Sequence, residues 1–308
     1  MTHRVNRFML TNSSPRRLSL IMIGFVLVVD LAWLPFSALS FGTGNLAVIM
    51  VIAGLFFLAG PVQRRFRVPA MAENLAVDLY ILVLFGVVGF VFSYLTIESG
   101  WTIRDEWFVA IDKTLGFDWR TYTAFFLQHD LLRSVSLILY VLSPLLVGFA
   151  LFWNCLHGNF DRASELVAMV ILGGVLCVVM SGLVPSAGGA GYFGADGDFY
   201  RDYRVVFDSS YKLAFCQLRD GTGMDIFLLR PLALIAFPSY HACLSMQVIL
   251  AFRDKGLLGF VIIALNVGSM LSLPVQGGHH LSDVLGGLLT GAVVYWAVRK
   301  YAQAQGHQ

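Results

Sequence analysis

Three histidines in this 308-residue chain stand where an imidazole can do chemistry. His241 lies in Phe237-Pro238-Ser239-Tyr240-His241, and His279 and His280 lie in Gly277-Gly278-His279-His280-Leu281-Ser282-Asp283. His279 and Asp283 are four residues apart, which on a helix puts them on one face about one turn apart. A carboxylate there can take an imidazole N–H, fix the tautomer and leave the other ring nitrogen as a nucleophile. His280 and Asp283, three apart, can also meet, so spacing alone does not choose between the histidines. Ser239 and His241 come from another segment and add a hydroxyl donor and a second acid or base. Such a set suits phosphoryl transfer, with one imidazole attacking phosphorus and another protonating the leaving oxygen. The remaining histidines, His3, His129, His157 and His307, fall in tails or beside the ends of apolar runs and call for no chemistry.

The elements that must hold these residues are set by composition. Hydrophobic residues make up 57% of the chain and charged residues 13%, about half the ~25% charged share of a soluble domain. Apolar runs occupy Leu18–Leu39, Gly44–Gly60, Ala76–Tyr94, Leu131–Trp153, Glu165–Leu183, Leu232–Phe252, Leu257–Pro274 and Leu281–Val298. Each approaches the ~20 residues that a helix needs to cross the hydrocarbon. Backbone polar groups must be paired within lipid, and the runs do not alternate as barrel strands do. The fold class is therefore all-α, a polytopic membrane bundle of about eight spans. Arg4, Arg7, Arg16 and Arg17 precede the first run as in a secretory signal, but that run exceeds 7–15 residues and contains Asp30, so it is read as a span. The net charge of +2 and the absence of a basic, aromatic-interleaved patch argue against nucleic acid. Four cysteines without a CxxC pair exclude a disulfide scaffold and a zinc ribbon.

Lysine and arginine set the orientation. The amino end, the loop with Arg64, Arg65 and Arg67, the turn with Arg253 and Lys255, and the end with Arg299 and Lys300 all fall on one side if eight spans alternate. That side is expected to be cytoplasmic, in a bacterial inner membrane, with residues 1–17 and 301–308 as tails around one domain, 18–300. Segments 96–130 and 185–230 then lie outside. The first mixes tryptophans with acids and suits a helix lying along the interface; the second, rich in Gly, Tyr and Asp, suits an irregular cap. On this topology His241 and His279 share the outer face, although neither was used to build it.

FPSYH followed by GGHHLSD resembles the second and third signatures of the type 2 phosphatidic acid phosphatase superfamily. It is most similar to the branch related to fungal inositol phosphorylceramide synthase. The segment Asp105–Trp119 (DEWFVAIDKTLGFDW) also resembles an Asp- and Trp-containing segment of that branch. The resemblance implies a metal-independent enzyme without cofactor that cleaves or transfers a lipid phosphate ester. It makes His279 the nucleophile that becomes phosphohistidine, Asp283 its orienting carboxylate, His241 the general acid and Ser239 a donor to phosphate oxygen. HHLSD offers no set of metal ligands of its own.

The chain departs from the family pattern in its cations. Ser272-Leu273 stands where the third signature has Ser-Arg, and Gly223 stands at the lysine of the first signature, ahead of Arg230-Pro231. Phosphoryl oxygens in a partly desolvated site need compensating charge. Arg201, Arg204, Lys212, Arg219 and Arg230 are the candidates, Arg230 first and Arg204 second. Water as acceptor makes a phosphatase, and an alcohol head group makes a transferase; Tyr192, Phe193, Phe199, Tyr200 and Tyr203 could shape the acceptor pocket or be plain interfacial aromatics. The alternative is a non-catalytic transporter or lipid-binding scaffold, for which Asp30 and Asp78 in the spans would couple ions. The lack of internal repeats speaks against it. The expected partners are the lipid phosphate substrate and membrane lipids.

Overall fold

The computed structural model describes residues 13–42, 44–45, 48–51, 54, 68–194, 209–222, 224–226 and 234–306. In chain order these form α1 (Ser14–Trp33), a 3-10 turn (Leu34–Phe36), β1 (Leu39–Phe41), α2 (Ala70–Glu98), α3 (Asp105–Thr114), α4 (Trp119–Gln128), α5 (Asp130–Leu156), α6 (Phe160–Leu183), α7 (Gly188–Phe193), α8 (Ser209–Arg219), β2 (Met224–Ile226), α9 (Tyr240–Phe252), α10 (Gly256–Gln276) and α11 (Leu281–Gly306). The six helices α1, α2, α5, α6, α10 and α11 are long and apolar enough to cross a membrane. Their outer faces carry exposed apolar stripes, such as Ile21, Phe25, Val28 and Leu31 on α1 and Leu131, Ile138 and Leu145 on α5. A water-soluble protein rarely leaves such large apolar patches uncovered; in lipid they are the wetted surface. The chain is an integral membrane protein.

The expected span Leu232–Phe252 takes a different form. Its helix, α9, begins only at Tyr240, and 13 residues reach about 20 Å, short of the ~30 Å hydrocarbon core. Leu234 to Ser239 precede it without regular structure and are mostly buried. Irregular backbone at membrane depth is tolerated where protein surrounds it, and here that backbone carries Pro238 and Ser239. The expected span Gly44–Gly60 falls mostly outside the described residues. Residues 42 and 68, which bracket it, sit at opposite ends of the bundle: Arg16 at the start of α1 pairs with Asp78 near the start of α2, whereas Ala38 donates its N–H to Glu98 at the end of α2.

The two largest buried clusters lie at different levels of the bundle. Ile81, Leu151, Val167, Ile171, Val248 and Phe252 form the centre of the main core, shared among α2, α5, α6 and α9. Arg16 reaches into this apolar region, Nε 2.7 Å from Asp78 and Nη2 3.0 Å from the Asn74 side chain. Removing one partner of a buried pair like this costs ~3–5 kcal/mol. At the other end Leu39, Tyr94, Leu95, Phe215 and Leu234 form a second cluster under the strand pair β1–β2, which is parallel with Leu39 opposite Met224. The sequence reading contained no strand.

The segment read as one interfacial helix is two, α3 and α4. Gly116 at φ +73° ends the first, taking up the left-handed conformation that glycine adopts without steric cost. Asp118 caps the second, its carboxylate accepting the Thr121 N–H at 2.7 Å. The cap after α6 is likewise not wholly irregular, since α7, α8 and β2 lie within it.

Candidate active site

The groups singled out in the sequence come together because α9 and α11 pack unusually closely. Gly286, Gly287 and Gly291 line the side of α11 that faces α9. A methyl group at Gly291 would lie 2.5 Å from the Cys243 carbonyl oxygen, and one at Gly287 would overlap the Ser239 carbonyl. Small residues of this kind let membrane helices approach backbone to backbone. The Ser239 N–H donates to the Asp283 carbonyl at 2.9 Å, tying the start of one helix to the first turn of the other.

His279 is 4% exposed at this junction. Its Nε2 is 3.2 Å from the Ser239 hydroxyl, and its Nδ1 is 3.6 Å from Asp283 Oδ2. The second distance is that of an ion pair rather than a formed hydrogen bond; catalytic hydrogen bonds often tighten only when substrate binds. Asp283, fully buried, is held independently, since Oδ2 also accepts the His280 N–H at 2.8 Å. Ser239 doubles as the N-cap of α9, accepting from the Ala242 N–H. His241, the second residue of α9, is stacked on Tyr140 of α5 with ring centroids 4.8 Å apart.

His280 points into a different environment. It is fully buried, with Nε2 3.4 Å from Asp105 and Nδ1 3.6 Å from Asp112, both on α3. Each acid is also anchored. Asp105 accepts from the Ser186 hydroxyl at 2.6 Å and the Ala187 N–H at 3.0 Å, which fixes the chain leaving α6. Asp112 accepts the N–H groups of Leu281 and Ser282 at 2.9 and 2.8 Å. It thereby caps α11 from another helix, placing a negative charge at the positive end of the helix dipole. Burial disfavours a charged imidazole, but Asp105 and Asp112, with the nearby Asp283, outweigh it and raise His280 to about 9. Burial also works against the Asp112 carboxylate, yet His280, Ser282 and Leu281 hold it below the usual range. His280 is thus an imidazolium clamped between two carboxylates.

The chain after α6, through α7, closes over this arrangement, together with α4. Ala190 of α7 donates its N–H to Gly278 at 3.0 Å, and Gly188 approaches the same carbonyl so closely that a methyl group there would lie 2.6 Å from it. Trp119 donates from its indole to the Pro274 carbonyl at 3.1 Å and stacks on Phe193. Tyr192 and Phe193, expected around an acceptor, have their rings 6.3 Å from the His280 ring.

The structure therefore joins Ser239, His241, His279 and Asp283 at one end of the bundle. Arg204 and Arg230 lie outside the described residues, as do Arg201, Phe199, Tyr200 and Tyr203. Arg219 donates to the Trp101 carbonyl and lies over Phe215. Leu273, which replaces the expected arginine, is fully buried against Ala242 and Val284. Asp105, Asp112 and Tyr140 were not among the expected site residues. The spacing of Asp105 and Asp112, seven apart on an amphipathic helix, could have flagged a pair on one face; Tyr140, a lone phenol in an apolar run, offered no such signal. Among the described residues no three His, Cys, Asp or Glu side chains form a metal-binding group.

A family model described as PAP2 superfamily matches residues 106–297. No curated protein and no solved structure matches the chain.

Proposed function

On the premise that the chain belongs to the PAP2 superfamily, a family of lipid phosphatases and phosphotransferases, we propose that it transfers the phosphoryl group of a lipid phosphate ester through a phosphohistidine, without a metal. The observation that carries this reading is His279 held between Asp283 at Nδ1 and Ser239 at Nε2. With Nδ1 facing a carboxylate, the proton resides there and the Nε2 lone pair is free to attack. Attack forms the N–P bond and breaks the bond from phosphorus to the lipid alcohol, whose oxygen takes a proton from His241. Ser239 donates its hydroxyl hydrogen to a phosphoryl oxygen. In the second step water, or the hydroxyl of a head group, attacks phosphorus. His241 takes up its proton, and the N–P bond breaks to restore His279. Two in-line displacements thus replace one.

The lining is acidic, with Asp105, Asp112 and Asp283 against the His280 imidazolium and the proton that His241 gives up, so the phosphoryl oxygens need cations from elsewhere. Arg230, then Arg204, is assigned that role. Within the superfamily the chain is placed with the branch that resembles fungal inositol phosphorylceramide synthase. FPSYH, GGHHLSD and the absence of the first-signature lysine support that placement, as does the contact of the Asp105–Trp119 segment with the histidine loop. The basic end of the bundle is assigned to the cytoplasm and the His279 end to the exterior or periplasm.

The test is purified protein in detergent with a panel of lipid phosphates and EDTA, scored for phosphate release and head-group exchange. A labelled phosphoenzyme should be trapped in wild type and be absent in His279→Ala. Turnover without any trapped label would remove the covalent step, and no activity on any lipid phosphate would leave the transporter or scaffold reading. The same assay on Arg230→Gln checks the charge assignment, which fails if kcat/KM is unchanged. For orientation, with exposed Cys216 replaced, a cysteine at Glu106 should react with an impermeant thiol reagent in intact cells. One at Arg17 should react only after the membrane is opened, and the reverse pattern would invert the topology.

A further inference from the structure

At the end of the bundle opposite His279, the ends of α5, α6, α9 and α11 and the turn Arg253–Lys255 line an open cavity of about 250 Å³. Its charged lining is Arg162, Arg253, Lys255 and Arg299 against Glu165 and Asp254, two more cations than acids. A bias of lysine and arginine towards one side of a membrane is general, but it does not require them to converge on a concavity. Here they are also held in place. Arg253 donates to the Tyr295 hydroxyl at 3.1 Å and the Leu250 carbonyl at 3.3 Å, and its guanidinium lies over the Tyr295 and Trp296 rings. Glu165 is shared, accepting from Arg162 at 2.9 Å and standing 3.5 Å from Arg299 Nε. That Nε is buried and has no hydrogen-bond partner among the described residues. One carboxylate cannot satisfy two guanidinium groups, each with five N–H donors, and a buried donor left unpaired in a native structure calls for an acceptor.

We propose that this cavity is a second anion site that binds a phosphate group, carried by an anionic lipid of the leaflet at that end or free in solution. Guanidinium groups match phosphate oxygens in a bidentate manner, and basic pockets between membrane helices are a recurrent headgroup site. The volume is below the ~300–1,000 Å³ of pockets for drug-sized ligands, so it admits a headgroup phosphate while the acyl chains stay in the bilayer. Exposed Trp296 and Leu257, each next to this lining, offer those chains an apolar surface. The site is separate from the chemistry. Asp283 and Arg299 are sixteen positions apart on α11, about 24 Å along the axis, and the proposal does not depend on the catalytic reading.

The experiment is thermal unfolding of the delipidated full-length protein in detergent, titrated with phosphatidylglycerol, with a neutral glycolipid, and with inorganic phosphate against chloride at equal ionic strength. Phosphatidylglycerol should raise the midpoint by several degrees and the glycolipid should not. A rise with inorganic phosphate as well identifies a free anion as a ligand; a rise with the lipid alone identifies the headgroup. The double variant Arg253→Gln/Arg299→Gln should lose the rise and His279→Ala should keep it, separating this cavity from the other end of the bundle. Should the double variant fail to fold, Lys255→Gln, an exposed change, should require about tenfold more ligand for half the rise, a loss of ~1.4 kcal/mol. No rise in wild type, or an undiminished response in the folded variants, would overturn the proposal.

Discussion

His279 and His280 are neighbours in the chain and opposites in the fold. Both imidazoles are buried and both face carboxylates, yet His279 meets one acid and one hydroxyl, whereas His280 has an acid at each nitrogen. An imidazole with an acid at each nitrogen is held as a cation and has no lone pair to offer; one with an acid on a single side keeps the other nitrogen nucleophilic. The second arrangement also ties three elements together, since Asp105 holds the chain after α6 and Asp112 caps α11. Charge alone therefore does not separate the two. The number of nitrogens that face a carboxylate does, one in His279 and two in His280.

The sharpest way to break this contrast is to remove each imidazole in turn. His279→Ala should lose more than ~10⁴-fold in turnover, beyond what general-acid catalysis alone supplies, with little change in the unfolding midpoint. His280→Ala should do the reverse. It strands Asp105 and Asp112 without their cation, at a cost of ~3–5 kcal/mol in stability, while the folded fraction keeps most of its turnover. An inactive but stable His280 variant beside an active His279 variant would exchange the two roles.

A smaller effect sharpens the catalytic side. His241→Ala should lower turnover by ~10²–10⁴-fold on an alkyl phosphate and recover most of that on a nitrophenyl phosphate, whose alcohol leaves without a proton. His279→Ala should recover nothing, because the attacking nitrogen is gone. Equal recovery in both variants would remove the nucleophile assignment.

The smallest effect tests the clamp through pH. His280 is raised from 6.5 to about 9 in the fold, so its contribution to stability is fully present below pH 6.5. It is lost as pH rises from there through 9, in total on the order of 3 kcal/mol. Asp112 is lowered from 3.8, so its contribution is present above that value and lost as pH falls through its lower folded value. Unfolding midpoints of wild type should therefore decline between pH 6.5 and 9, and His280→Gln should flatten that decline. An unchanged slope in the variant would place the alkaline loss elsewhere.

Much of this molecule was legible before any coordinates, for reasons that lie in single residues. Runs such as Ala76–Tyr94 and Leu131–Trp153 declare membrane helices because hydrocarbon admits no unpaired backbone and few charges. The four-residue spacing of His279 and Asp283 survives into the fold because both flank one helix start. Less legible was Leu232–Phe252, whose apolar composition conceals a short helix preceded by irregular backbone, since hydropathy reports burial and not hydrogen bonding. The pairing of β1 with β2 joins residues some 185 positions apart, a distance over which local pattern carries no information.

By itself the sequence determined the solvent, the helical class and a short list of groups able to move a phosphoryl unit, because each of these depends on residue type and near-neighbour spacing. Spacing left the choice between His279 and His280 open, since both lie within reach of Asp283, and only the resemblance favoured His279. Tertiary structure gives the two different surroundings, bringing Asp105 and Asp112 on α3 against His280 and leaving Ser239, the N-cap of α9, to His279. Which nitrogen is engaged depends on what packs against it from segments distant in the chain, and only the packed bundle brings those segments together.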